Sequence, residues 1–268
     1  MPDLQLRATE IRRIAVSLIH GAGSGHPGSC LSAADVIAAL YFEELRPGID
    51  KFVLSKGHAC PALYAALHLR GFFDRAALGS FRVLGGLLQG SPTTTIPGID
   101  ATCGSLGQGF SIALGLALGL PQSRAYVMLG DGELQEGEVW EAAMAAGHYQ
   151  LGNLCAIVDY NKMQSDDLNE KIMRLEPLDA KWRAFNWNVQ VIDGHNFGEI
   201  AAAFASARAT AGKPTVIIAN TIKGKGVGYM EGVPSWHGSV KLKPEEIRQA
   251  LADLGVLPDR QPEYAFHV

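Results

Sequence analysis

The sequence predicts an α/β fold, a mostly parallel central sheet with helices on both faces, and three observations carry that expectation. Short runs such as AYVML at 125–129 and LCAIV at 154–158 are apolar along their whole length, as strands buried on both sides must be. They alternate with helical stretches, and parallel strands need crossovers of that kind. Glycine turns punctuate the chain between them.

Taken in order, Ile11, Ile14, Ala15, Leu18 and Ile19 form one helical stripe ending at glycine. The next segment, GSGHPG at 23–28, matches a dinucleotide fingerprint letter for letter, but that fingerprint needs a strand before it and here a helix precedes it. A helix is expected from about Ser32 to Glu44. KFVLSKGHA then reads as a strand breaking into a Gly-His turn, and PALYAALHLRGF as a helix with proline near its start and glycine near its stop. The turns of PGIDATCGSLGQG, 97–109, feed the helix FSIALGLALGL, so backbone N–H groups gather at a positive helix end that suits an anion. AYVMLGDG is a strand, LQEGEVWEAAMAAGHY a helix and LCAIVDYN a strand, together one βαβ unit. WNVQVIDG and PTVIIANT add two strands, EIAAAFASARAT a helix and KPEEIRQALADLG a closing helix. No linker, charge block or repeat divides the chain, so one domain over residues 1–268 is expected.

Composition narrows the function. A net charge of -4 over 268 residues argues against a nucleic-acid surface. The charged start MPDLQLRATEIRRI is no signal peptide, and no apolar run is long enough to span a bilayer, so a cytoplasmic protein is expected. Cys30, Cys60, Cys103 and Cys155 lie far apart with no CxxC pair and read as small apolar residues.

Ligands of an open parallel sheet collect at the carboxyl ends of its strands. Asp131, Asn161, Asp193 and the TIKGKG turn all stand at such ends. Two neighbouring strands can deliver a carboxylate and an amide oxygen to one point, a hard-oxygen pair that suits magnesium. An ion held by so few protein groups needs phosphate oxygens as well, and a diphosphate is the natural companion. The plain alternative is that Asp131 and Asn161 only cap turns, and an isolated GDG matches by chance.

The longer pattern is more specific. GDG followed thirty residues on by asparagine resembles the thiamine diphosphate signature, and GDGELQEGEVWEAAMAAGHY resembles its transketolase version. SGHPGSCLSAADV, VLSKGHACPALYAAL, PGIDATCGSLGQGFSIALG and NTIKGKGV…WHG resemble transketolase segments in the same order. The resemblance covers the diphosphate-binding half of a full-length transketolase, which implies the N-terminal member of a split enzyme with the thiamine diphosphate-binding fold. It implies magnesium at Asp131, Asn161 and the Met163 carbonyl. It implies diphosphate contacts from His58, Gly132 and His237, with Leu106 and Gly107 beside the thiazolium. Glu136 would face the partner, and His26 and His237 the substrate, as groups able to exchange protons near neutral pH. The activity implied is transfer of a two-carbon ketol unit from a ketose-type donor to an aldehyde. The partner would be a C-terminal, pyrimidine-binding subunit supplying the activating glutamate, in an α2β2 heterotetramer.

The remaining residues have plainer readings. His20, His68, His148 and His267 are expected to be structural or solvated; His195 is left open, as are Lys223 and Lys225, which sit in a glycine turn that could touch phosphate although exposed lysines are usually solvated. Trp140, Trp182 and Trp187 fill core or interface. One departure bears on substrate: Gly90-Ser91-Pro92 stands where transketolases usually carry Gly-His-Pro, and a serine cannot become a cation. TTTI at 93–96 replaces commonly charged residues, so a non-standard donor or acceptor is expected. Tyr160 replaces an asparagine common in thiamine enzymes, but Asn161 keeps the ligand position. Other readings are two-carbon transfer to a carrier protein, as in a 2-oxo acid dehydrogenase component, and a non-catalytic cofactor-binding module.

Overall fold

The computed structural model describes residues 2–165 and 167–266. His267 lies outside them. The N-terminal half opens with α1 (Pro2–Ala22) and α2 (Pro27–Ala39), then β1 (Lys51–Leu54), α3 (Cys60–Leu69), a short α4 (Arg75–Leu78) and α5 (Gln108–Gly119). There follow β2 (Ala125–Gly130), α6 (Gly137–His148), β3 (Leu154–Tyr160) and a small hairpin of β4 (Met163–Gln164) and β5 (Asp167–Leu168). The chain continues with α7 (Asn169–Ile172), α8 (Leu178–Ala184), β6 (Asn188–Asp193), α9 (Phe197–Ala209), β7 (Thr215–Asn220) and α10 (Pro244–Asp253).

Five strands form one parallel sheet in the order β1-β2-β3-β7-β6. Alternation along the strands divides the interior in two. Phe52, Leu54, Tyr126, Met128, Cys155, Ile157 and Ile217 face a core built with α1, α2, α3, α9 and α10. Val53, Val127, Leu129, Ala156, Val158, Val216 and Ile218 face a second core with α5, α6 and α8. Helices thus cover both faces, as expected. Three of the four tryptophans serve the second core: Trp182 packs at 4.9 Å from Trp187 and 5.3 Å from Trp140, ring to ring. All four cysteines are free and buried.

Two boundaries differ from the sequence reading. Helix α2 begins at Pro27 rather than Ser32, because proline's fixed φ fits the first helical position, and it ends in a wider turn at Leu40–Glu44. The stretch after Asp131 first makes a tight turn, Gly132–Gln135, and α6 starts only at Gly137. Strand β6 is the sheet edge, with only Ile192 buried, so it is not covered on both faces. Among the described residues no helix is long and apolar enough to cross a membrane. Helix α5 leaves Ile112 and Leu118 exposed, with Leu120 just beyond it, and Met144 and Tyr149 are exposed on the neighbouring α6 and its end.

Candidate functional site

Strands β2 and β3 are paired neighbours, with Gly130 opposite Asp159, so the residues that follow them, Asp131 and Asn161, emerge side by side. Asp131 is buried, its Oδ1 accepting from Gly132 N–H at 2.8 Å and its Oδ2 from Lys162 N–H at 2.5 Å. Asn161 accepts from Met163 N–H at 3.1 Å and donates to Asp159 at 3.3 Å. Each side chain does cap a turn, and each also borders a cavity of about 200 Å³. His58, Leu106, Gly132, Glu136 and His237 line the same cavity.

The three predicted site histidines meet above it. The His26 and His58 rings are 5.1 Å apart and those of His58 and His237 5.8 Å. They arrive from separate loops: the turn before α2, the turn after β1 and a turn near the end of the chain. A bridge between Gly25 and Val240 holds the first and last of these together. His58 Nε2 meets Ser29 Oγ at 3.2 Å. Gly107, at φ +87, forms the start of α5, and a Cβ there would lie 3.2 Å from that of Glu136, so the backbone runs close along this wall. Glu136 and Leu106 stand exposed at the rim.

Several contributors carried no sequence signal strong enough to single them out. Lys56 and Lys223 are each 1% exposed. Lys56 forms an ion pair with Asp159 and donates to the Ser29 carbonyl at 3.1 Å. Asp159 also accepts from Ser32 at 2.6 Å and from Thr221. Lys223 is no solvated turn lysine: it donates to Nδ1 of His237 and, at 3.1 Å, to the Met163 carbonyl. Glu133, buried, gathers Ser55, the Gly107 N–H at 2.8 Å and the Gly130 N–H at 2.9 Å, tying the Leu106 loop to the end of β2. A lysine beside glycine at a strand end is the only hint the sequence held for Lys56 and Lys223.

The electrostatics are those of a site that suits paired ions. Burial pushes Asp131 up to about 6, only partly offset by Lys223, and burial pulls Lys223 down to about 8. Burial, then Lys223, draws His237 down to about 3. Burial and Lys56 hold His58 well below its ordinary value, and burial and Arg82 lower His26. Burial and neighbouring cations thus hold all three histidines toward the neutral form. Each like charge nearby disfavours the next. A buried carboxylate short of positive charge beside buried cations short of negative charge suits a cation and an anion bound together. One carboxylate, one amide oxygen and one carbonyl are the donors magnesium takes when phosphate completes its shell, so these residues fit a magnesium diphosphate, with the Met163 carbonyl meanwhile held by Lys223.

The other histidines are quieter. His20 and His68 bond backbone carbonyls and His148 is exposed. A larger groove of about 680 Å³ opens beside β6 between Tyr160, Leu175, Val191 and Ile218, and none of the predicted site residues line it.

Fold and site together define an α/β domain with a polar cavity at the carboxyl edge of a parallel sheet, where such folds bind ligands. Residues 4–267 match the family model described as "Transketolase, thiamine diphosphate binding domain", and the chain belongs to that family. It is 46% identical over 265 residues to the 6-deoxy-6-sulfo-D-fructose transketolase subunit SqwG of Clostridium sp. (strain MSTE9), covering 94% of this chain and 96% of that one. It is 40% identical to one of the subunits of the apulose-4-phosphate transketolase of Phocaeicola vulgatus, covering 94% and 93%. The solved transketolase from Leishmania mexicana superposes with a TM-score of 0.88 at 30% identity, over 98% of this chain and 44% of that one. The chain thus spans less than half the length of that full transketolase.

Proposed function

We propose that this chain is the N-terminal subunit of a split transketolase, a single domain that anchors thiamine diphosphate through magnesium and transfers a two-carbon ketol unit with a partner chain. The carrying observation is the meeting of Asp131, Asn161, His58 and His237 on one cavity, with His26 packed beside His58 and Lys223 bonded to His237, within a family whose model is a thiamine diphosphate domain. Asp131, Asn161 and the Met163 carbonyl would hold the metal. Lys223, His58, Gly132 and His237 would hold the diphosphate, and Leu106 and Gly107 would border the ring. When bound, the cofactor supplies the carbanion chemistry that breaks and remakes a bond beside a carbonyl.

This chain's residues bind, orient and exclude water. Buried cations and aligned N–H groups fix the anionic tail without reorganisation. Neutral His26 and His237 serve as hydrogen-bond partners and proton acceptors for sugar hydroxyls and developing oxyanions. The exposed rim of Leu106 and Glu136 supports closure by another chain, as does the naming of both split relatives as subunits. An α2β2 heterotetramer in the cytoplasm is the assembly expected.

The sugar pair is read as non-standard. Gly90-Ser91-Pro92 runs beside the His58 turn, with Pro92 Cδ 3.3 Å from where a Cβ on Gly57 would stand, which supports reading Ser91 as a substrate-side residue. Both split relatives are named for sugars other than xylulose 5-phosphate and ribose 5-phosphate. Co-expression with the neighbouring gene product, followed by a screen of ketose donors and aldehyde acceptors with thiamine diphosphate and magnesium, tests the reading. Turnover only by the pair is the expected result. Robust turnover by this chain alone, or full efficiency with xylulose 5-phosphate and ribose 5-phosphate, would contradict it.

A further inference from the structure

A buried polar chain runs from the first core to the cavity wall. Asp35, on α2 and 2% exposed, accepts from both Nη1 of Arg12, at 3.0 Å, and Nη2. The same carboxylate meets His195 Nδ1 at 2.6 Å, and His195 Nε2 accepts the backbone N–H of Ile222 at 2.9 Å. Both ring nitrogens are committed: Nδ1–H donates to Asp35 and Nε2 accepts, which is the neutral ring in one tautomer. Ile222 directly precedes Lys223 in the turn after β7, so the imidazole connects a buried ion pair to the loop that carries a cavity cation.

We infer that His195 is a positioning residue: braced by Asp35 and Arg12, it sets the Ile222–Lys223 turn so that the Lys223 ammonium is presented to a bound diphosphate. The inference rests on the proposed reading of the cavity as a diphosphate site. A lysine has four rotatable bonds, so where its charge stands depends on how its backbone is fixed. Thr221, just before Ile222, is held by its N–H to the Tyr160 carbonyl at 3.1 Å and by its hydroxyl to Asp159, and beyond Lys223 the Gly224 N–H reaches the Gly28 carbonyl at 3.1 Å and the Gly232 N–H the Lys223 carbonyl at 2.9 Å. His195 is the side chain that holds the Ile222 N–H itself, between those flanking holds, reaching in from the loop after β6, which its own N–H steadies through Asp193 at 2.9 Å. Partners that orient a binding group in this way change affinity by about 10–100-fold when removed.

The test measures thiamine diphosphate affinity, with magnesium, by calorimetry on the full chain assembled with its partner subunit. His195→Leu is expected to weaken binding by about 10-fold. His195→Gln, whose amide can donate to Asp35 and accept from Ile222, is expected to stay within about threefold of wild type. In a Lys223→Ala background, adding His195→Leu is expected to cost less than about twofold, because the effect runs through Lys223. Equal binding by wild type and His195→Leu, or an undiminished loss in the Lys223→Ala background, would overturn the inference. If His195→Leu fails to fold, His195→Gln against His195→Asn decides: the shorter amide spans only one contact and should bind less tightly, and equal affinities would sink the idea. A wild-type pair that takes up no cofactor would remove the cavity reading and this inference with it, whereas a binding wild type with insensitive variants removes this inference alone.

Discussion

Lys223 donates to His237 Nδ1 and to the Met163 carbonyl at 3.1 Å, so one buried ammonium holds together the residues read as diphosphate, substrate and metal contacts. A bound diphosphate would compete for that charge and free the carbonyl for the metal. Lys223→Met is expected to lower cofactor affinity by about 10–100-fold, the worth of a hydrogen bond to a charged group. Titration of the assembled pair with thiamine diphosphate checks this, and unchanged affinity would take Lys223 out of the site.

Asp131 is the only carboxylate in the proposed metal set. Asp131→Asn keeps the shape and removes the charge, so magnesium-dependent cofactor uptake is expected to fall by about 100-fold while far-UV dichroism stays that of the wild type. Uptake at wild-type strength would refute the metal assignment.

Below the cavity, Asp159 answers Lys56. Burial alone would push Asp159 up, but Lys56 and the Ser32 and Thr221 hydroxyls outweigh it and hold it below 3.8. For Asp35 burial is outweighed by His195 and Arg12. Acids held low in the folded chain add stability that is fully present above their unfolded pKa and is lost as pH falls through the folded value. Stability should therefore drop as pH is lowered below about 4. Asp159→Asn strands a buried ammonium and is expected to cost about 3–5 kcal/mol at pH 7, with a shallower acid limb in urea titrations. A loss under about 1 kcal/mol would show the pair to be dispensable.

Ser91 is read from the sequence as a neutral hydroxyl in place of the histidine that transketolases usually carry. Ser91→His is expected to shift donor preference of the assembled enzyme toward pentose phosphates by about 10-fold, as a regained hydrogen bond of about 1.4 kcal/mol would. Ratios of kcat/KM for two donors measure the shift. A variant with unaltered ratios would locate selectivity elsewhere.

What the sequence disclosed follows from how far each signal reaches. Whole-length apolar strands announced the parallel sheet, and the ends of β2 and β3 announced Asp131 and Asn161, because those are local patterns. Lys56 remained hidden since its partner Asp159 lies 103 residues away, and no local pattern reports a lysine buried by long-range pairing. Lys223 and His195 were left open because their contacts are distant in sequence, those of Lys223 at His237 and Met163 and those of His195 on α2 and in the turn after β7. The start of α6 was misplaced because Glu133, an apparent first-turn acid, instead turns inward to collect two backbone N–H groups. The histidines' neutrality was likewise invisible: it arises from burial and from cations that meet only in the folded chain.

The bare aliphatic ridge of α5, with Ile112 and Leu118 wet, has a cellular corollary. Surplus copies would clump by that ridge, since unshielded greasy surface drives indiscriminate self-association. Balanced supply of this chain and whatever shields it is then a matter of solubility as much as of catalysis, and overproducing it by itself should deliver inclusion bodies before it delivers enzyme.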